Sequence, residues 1–120
     1  MTVITSFTTA AQVASAPSAR KAPVAFTRAE LNDILRIYGH MVAAGQWRDY
    51  SIDLGDGQIA FSVYVRASEM PQYRIIKEPA LAARQGAFRL IGPTGAILKR
   101  GHDLASALKP LAAKLLKLVE

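Results

Sequence analysis

The side chains best suited to chemistry in this chain are two histidines, a few carboxylates and many scattered bases. His40 and His102 belong to neither a His-x₃-His nor a Glu-x-x-His spacing, so no metal site is predicted. His102 and Asp103 are a possible dyad, but adjacent residues at a helix start rarely face one target, and a capping role for Asp103 is favoured. The sequence predicts no catalytic residue and no cofactor, and therefore no enzyme. A small-ligand or enzymatic domain stays open only if a deep pocket forms around Trp47, Tyr50 and His102.

The positive charge of the chain is unevenly distributed. The net charge is +6, yet residues 26–61 hold three bases against five acids. Residues 62–120 hold ten bases against four acids. A basic second half suggests an anionic partner, such as nucleic acid, a membrane surface or an acidic protein. The alternative interpretation is a solvated surface that happens to be rich in lysine and arginine.

Length and composition favour one domain after a separate tail. The 120 residues are half apolar, enough for a core, and no run approaches the roughly 20 apolar residues of a membrane span. The absence of cysteine excludes disulfides and thiolate metal sites and fits a reducing cytoplasm. Residues 1–25 are predicted to be disordered, and residues 26–120 to form the domain. Val13-Ala14-Ser15-Ala16 resembles a secretory cleavage site, but no positive charge precedes it, so export is the less favoured alternative.

The first helix has a clear start and a clear end. Thr27 and Glu30 form a capping box, and Phe26 and Leu31 occupy the positions of a hydrophobic staple. The apolar stripe that follows has helical spacing: Leu31, Ile34, Leu35, Tyr38, Met41 and Val42. Gly45 is expected to end the helix in the left-handed region. Gly39 in its interior predicts a close approach to the sheet.

Five strands are predicted after this helix. Tyr50 to Leu54 alternates, Asp56-Gly57 forms a hairpin turn with positive φ at both central positions, and Ile59 to Val65 returns. Residues 73–77, 88–91 and 96–99 form three further strands, with a β-turn at residues 92–95 and a loop or short helical turn between Glu78 and Gly86. A second helix follows the Asp103 cap. Its leucine seam is expected to pack on the sheet, and Pro110 to kink or break it.

The predicted fold is therefore α+β, with an N-terminal helix, an antiparallel sheet of four to five strands and a C-terminal helix. Both helices are expected on one face of the sheet. The opposite face would be exposed and basic, with Ser62 beside one tyrosine and several bases: Tyr64, Arg66, Arg74, Arg89 and one of Lys99 or Arg100.

Four segments of this chain resemble a known family. They are Phe26-Thr27-Arg28-Ala29-Glu30-Leu31, Tyr38-Gly39 with residues 41–45, Gln46-Trp47-Arg48-Asp49-Tyr50, and Leu98-Lys99-Arg100-Gly101-His102-Asp103-Leu104. They are similar to short alphaproteobacterial proteins grouped as domain-of-unknown-function family 2794, over about Phe26 to Leu118. The resemblance implies a bacterial cytoplasmic protein and carries over no activity, cofactor or site residue.

Two functions compete on these observations. The first is nucleic-acid binding through the basic sheet face, in which Tyr64 stacks on bases and arginines neutralise phosphates. Its candidate residues are Tyr64, Arg66, Arg74, Arg89, Lys99 and Arg100. The second is a protein-interaction or regulatory module, with a homodimer among its forms, that uses the sheet face, a free strand edge or the leucine seam.

Overall fold

A computed structural model describes residues 23–66 and 70–119. These residues form an α+β fold, as predicted, with two helices and one five-stranded sheet among them. The elements are α1 (Arg28–Ala43), β1 (Asp49–Gly55), β2 (Gln58–Tyr64), β3 (Tyr73–Lys77), a short 3₁₀ turn (Pro79–Leu81), β4 (Phe88–Ile91), β5 (Ile97–Gly101) and α2 (Leu104–Val119). The predicted tail, including its signal-like residues 13–16, lies outside the described residues except for Pro23 to Ala25.

The sheet is a simple antiparallel meander. Its spatial order, β1-β2-β3-β4-β5, is the order of the strands in the sequence. Each pair is antiparallel, and the β4–β5 ladder contains one register shift between Leu90 and Ile91. Because the order is sequential, β1 and β5 are the two edges. The acidic residues 26–61 supply β1 at one edge, and the basic residues 62–120 supply β3, β4 and β5 towards the other.

Local signals place the start of α1 where the sequence predicts it. The Thr27 hydroxyl accepts a hydrogen bond from the Glu30 N–H at 3.1 Å, and Glu30 Oε1 accepts from the Thr27 N–H at 2.8 Å. Phe26 and Leu31, the two residues at the predicted staple positions, are both partly buried against the core. Gly45 has φ of +76°, as the helix end requires.

The apolar stripe of α1 is narrower than its sequence suggests. Ile34 and Met41 are buried, but Leu35 and Val42 remain 36% and 39% exposed. Ile37, on the other side of the stripe, packs on the core instead. The predicted close approach at Gly39 is wrong, because a Cβ built there would meet no atom within 4 Å.

The core lies between the sheet and the two helices. Buried residues of β2, β3 and β4 meet those of α1 and α2 in one cluster: Ile34, Met41, Trp47, Phe61, Val63, Ile75, Ala87, Phe88, Leu90, Leu104, Ala107, Leu108 and Leu111. Burial of large apolar side chains contributes about 1.5–3 kcal/mol each, so this cluster dominates the stability of the fold. The leucine seam packs inward, as predicted, except that Leu118 is exposed.

Three local details confirm or correct the sequence-based predictions. Asp103 Oδ1 accepts from the Ser106 N–H at 2.8 Å, which confirms the cap, but α2 continues unbroken through Pro110. In the β1–β2 turn only Gly57 has positive φ (+77°), so the prediction for Asp56 is wrong. The turn at residues 92–95 is confirmed by a hydrogen bond from Gly95 N–H to Gly92 O at 3.0 Å.

Candidate functional site

The face of the sheet opposite the helices, called here the open face, carries polar side chains of the strands together with Ala60 and Ile76. The prediction of an exposed face is wrong for its centre, because Ala60, Ser62 and Ile76 are 1%, 1% and 2% exposed and the arginines around them are half-buried. Side chains alternate along a strand, so the residues that flank core positions point to this face. In β2, Phe61 and Val63 enter the core, which leaves Ser62 and Tyr64 on the open face. Cross-strand pairing then assigns the neighbours, with Ser62 opposite Arg74.

Three arginines on adjacent strands form a row across the open face. Arg89 of β4 lies directly opposite Arg100 of β5 and, on its other side, opposite Ile76 of β3. Arg74 is two residues from Ile76 in β3, so it lies diagonally from Arg89. We call Arg74, Arg89 and Arg100 the arginine row. Like charges directly opposite each other in a sheet are destabilising, so the partners of each guanidinium decide what the row can bind.

Each arginine of the row has a different environment. Arg89 Nη1 donates to Glu78 Oε1 at 2.9 Å, with the two side chains 15% and 19% exposed. Among the described residues, Arg74 Nε donates only to a neutral oxygen, the Ser62 hydroxyl, at 3.4 Å. Arg100 Nη1 is buried and has no hydrogen-bond partner within the described parts of the chain. Arg89 is therefore neutralised, whereas Arg74 and Arg100 have no carboxylate partner among the described residues, although Nη1 of Arg100 is closed to solvent.

Beside Arg74 the open face is hollowed into a depression of about 390 Å³. Ser62, with its small side chain, contributes to the lining between Tyr64 and Arg74, and the two flanking loops contribute prolines. The lining residues are Asp53, Ser62, Tyr64, Met70, Pro71, Arg74, Ile91, Gly92, Pro93 and Gly95. The depression therefore offers one cation, one carboxylate, a tyrosine ring and flat apolar walls.

A chain of hydrogen bonds holds Tyr64 in place beside the depression. The Tyr64 hydroxyl and Ser51 Oγ are 3.1 Å apart, and Ser51 Oγ donates to Asp53 Oδ2 at 3.3 Å. Ser51 lies on β1, opposite Ser62, so the bond joins two strands of the same face. A ring fixed at its hydroxyl end is a pre-organised stacking surface, because less rotamer entropy is lost when a ligand binds.

The structure brings together four of the six candidate residues that the sequence suggested. Tyr64, Arg74, Arg89 and Arg100 share the open face, whereas Lys99 lies opposite Leu90 and points to the helix side. Arg66 follows the end of β2 and is exposed. Of the two bases at the end of β5, Arg100 is thus the one on the predicted face.

The sequence did not predict the two residues that accept hydrogen bonds from Arg89 of the arginine row. Glu78 and Gln58 both accept hydrogen bonds from Arg89, the second at 3.4 Å. Alternation could have placed Glu78, since it stands two residues beyond Ile76 and four beyond Arg74. Its pairing with a base on another strand needed the register of β3 and β4, which the sequence does not show.

The other chemical candidates do not assemble into a site in the described ranges. Trp47 is buried against Tyr38 and Tyr73, with ring centroids 6.3 and 5.9 Å away, so it belongs to the core. His40 and His102 are both exposed. Residues 23–66 and 70–119 contain no group of three His, Cys, Asp or Glu side chains that could hold a metal ion. Nor does any helix there combine the length and apolar character needed to cross a membrane.

Comparison with known proteins identifies a family and nothing closer. A family model described as "Protein of unknown function (DUF2794)" matches residues 24–108, which span α1, the whole sheet and the first turn of α2. No curated protein and no solved structure matches the chain.

Proposed function

The chain belongs to the DUF2794 family of proteins of unknown function, and we propose that it binds nucleic acid through the open face. The observation that carries the proposal is the arginine row across β3, β4 and β5 on the face opposite α1 and α2. Neighbouring strands are about 4.8 Å apart, so long side chains on consecutive strands can reach consecutive phosphates of one backbone.

Arg100 is the principal anchor in this proposal. A buried donor without a partner costs about 1–3 kcal/mol. Because Nη1 is closed to solvent, the Arg100 side chain must turn outward before an anion can accept from it, and that contact removes the cost. Arg74 adds a second contact, because its side-chain hydrogen bond in the described part of the chain is to the neutral Ser62. Hydrogen bonds between arginine and phosphate are charge-assisted, which makes them stronger than those between neutral groups.

Single strands suit the open face better than duplexes. Tyr64 lies on the same face as the row and borders the depression, where an unpaired base can stack on its ring. Stacking of a base on an aromatic side chain is worth about 1–3 kcal/mol and tolerates any base. A duplex keeps its bases stacked internally and cannot use this surface.

The expected salt dependence follows from the partners of the row. Arg89 is paired with Glu78, which leaves two arginines for phosphates in the unmodified protein. Each phosphate contact adds about 0.7 to the log–log salt slope for single strands, so the slope should be about 1.4. A much steeper slope would place the binding surface elsewhere, among the exposed lysines of α2.

The test is fluorescence anisotropy with labelled single-stranded and duplex oligonucleotides over a salt series. Arg100→Gln and Arg74→Gln should each weaken single-strand binding and lower the slope by about 0.7. Lys99→Gln is the matched control, because it removes the same charge from the adjacent residue on the other face. No micromolar binding at low salt, or equal losses in Lys99→Gln and Arg100→Gln, would contradict the proposal. Capture of an acidic protein on the same row would support the competing interaction module instead.

We also propose that the protein acts without catalysis, in the bacterial cytoplasm. The first part is supported by the hydrogen bonds of the depression, where Tyr64, Ser51 and Asp53 bind one another. The second is supported by the absence of cysteine from all 120 residues, which is typical of proteins from a reducing compartment. Hydrolysis of a bound oligonucleotide would contradict the first part.

A further inference from the structure

The β1 edge of the sheet is built for pairing with another strand. Its seven residues pair with β2 without a register shift, and they include no proline and no lysine. An edge strand presents a row of backbone groups that its own sheet does not use. The opposite edge is protected, because the β4–β5 ladder is irregular and β5 carries Lys99 and Arg100. A partner strand would therefore add at β1.

An apolar surface continues from this edge onto α1. Leu35, Tyr38 and Val42 follow i, i+3, i+7 spacing and lie along one side of the helix. The Tyr38 ring packs edge-on against Tyr50 at 5.0 Å, and its hydroxyl donates to Arg48 O at 2.8 Å, so that side of α1 lies above β1. Leu35 and Val42 on the same side remain partly exposed, although their spacing marks them as core residues.

We propose that two copies of this chain pair antiparallel along β1, about a two-fold axis at Ile52. The pairing joins two five-stranded sheets into one and brings Leu35 and Val42 of α1 towards their counterparts on the partner. It uses neither Arg74 nor Arg100 and does not depend on nucleic-acid binding, although it passes Ser51 and Asp53, which hold Tyr64 in place.

The sequence of β1 selects this register. With Ile52 on the axis, Tyr50 lies opposite the partner's Leu54, and Ser51 lies opposite the partner's Asp53. A shift by two residues in one direction places Asp49 opposite the partner's Asp53, and a shift in the other places Asp53 opposite its own copy. Like charges directly opposite each other are destabilising. A shift by one residue would set side chains of opposite faces against each other.

The same register is also complementary in charge at its two ends, which favours a second copy of this chain as the partner strand. Arg48, just before β1, lies opposite the partner's Asp56, and the contact occurs twice by symmetry; both residues are exposed in the single chain. A two-fold interface uses one patch on both subunits and closes on itself. An unrelated strand would have to supply the apolar, hydroxyl and acidic pattern that β1 already contains.

Mass in solution is the first test. Sedimentation equilibrium of the full chain at about 100 μM should give a dimer, since interfaces of modest size have micromolar affinity. Leu35→Lys combined with Val42→Lys should give a monomer with an unchanged circular-dichroism spectrum, because both side chains are exposed in the single chain. Leu116→Lys is the control, since Leu116 is a 62% exposed apolar residue of α2, and it should remain dimeric. A monomeric wild type would overturn the proposal.

Cross-linking tests the register itself. Because the chain contains no cysteine, an introduced cysteine is the only thiol that can react. Ile52→Cys should cross-link to its own copy with a short bis-maleimide. Ser51→Cys and Asp53→Cys should cross-link to each other in a mixture more strongly than either does alone. Lys99→Cys on the other edge should stay uncross-linked. A dimer that survives the double lysine variant, or one that cross-links through Lys99→Cys and not Ile52→Cys, would overturn the β1 interface.

Discussion

Lys99 and Arg100 are consecutive residues of β5 with the same charge and opposite orientations. Lys99 lies opposite Leu90 on the helix side, whereas Arg100 lies opposite Arg89 on the open face. Lys99 is exposed, whereas Nη1 of Arg100 is buried without a partner in the described ranges. The two positions thus separate the effect of charge from the effect of location, which makes them a natural pair for mutation.

Replacement of Arg100 by methionine should not destabilise the protein and should raise its free energy of unfolding by about 1 kcal/mol. The physical reason is that the change removes a buried, unsatisfied donor and one of two opposed positive charges. Lys99→Met should change stability by less than about 0.5 kcal/mol, as exposed substitutions usually do. Urea denaturation of the three proteins measures both values. A marked loss of stability in Arg100→Met would mean that the guanidinium has a structural partner.

Glu78→Gln should strengthen binding of single-stranded oligonucleotides. Loss of the carboxylate frees the charge of Arg89, which adds a third cation and steepens the salt slope by about 0.7. Glu30→Gln changes the net charge equally, but Glu30 pairs with Lys77 near the start of α1 on the helix side. If both variants shift the anisotropy curves alike, the effect is one of net charge and not of the arginine row.

The Glu30–Lys77 ion pair should make stability depend on acidic pH. Burial raises the pKa of Glu30, but hydrogen bonds from Lys77 Nζ and from the Thr27 N–H, each 2.8 Å, outweigh it, so the pKa lies below its ordinary value of 4.5. A carboxyl with a depressed pKa in the folded state stabilises above the unfolded value and loses that contribution as pH falls through the folded value. The stability difference between wild type and Glu30→Gln should therefore be constant from pH 7 to about pH 5 and shrink below 4.5.

Urea midpoints at a series of pH values measure this difference. Asp33→Asn is the matched control, because Asp33 pairs with Arg36 at 3.4 Å on the exposed side of the same helix. Exposed pairs contribute about 0–1 kcal/mol, so its difference from wild type should stay small at every pH. A Glu30→Gln difference that does not narrow below pH 4.5 would show that the ion pair is not the source.

Two glycines should respond in opposite directions to alanine. Gly39→Ala should stabilise the protein by about 1 kcal/mol, because Gly39 is exposed inside α1 and nothing crowds its Cβ position. Gly86→Ala should destabilise it by several times that, about 3 kcal/mol, since Gly86 has φ of +95° and its Cβ would collide with the carbonyl of Gly101. Thermal melts of both variants distinguish them, and a destabilised Gly39→Ala would reveal a contact on α1.

Much of the candidate site follows from alternation alone. Once Phe61 and Val63 are taken as core residues, Tyr64 must face away from the helices, and the same argument places Arg89 beside Leu90. Alternation fails at β5, because the register shift next to Ile91 breaks the count between strands. The choice between Lys99 and Arg100 is therefore made only by the tertiary structure, as is the pairing of Glu78 with Arg89.

The sequence by itself determined the features that depend on neighbours in the chain. The capping box of Thr27 and Glu30, the turn at residues 92–95 and the cap at Asp103 are closed by bonds spanning three residues, so local chemistry specifies them. Tertiary structure decided what depends on where whole elements come to lie. The exposure of Leu35, the free space around Gly39 and the orphaned nitrogen of Arg100 arise from how α1 and β5 are placed against the sheet. Those placements result from packing summed over the whole core, which no single segment of the chain specifies.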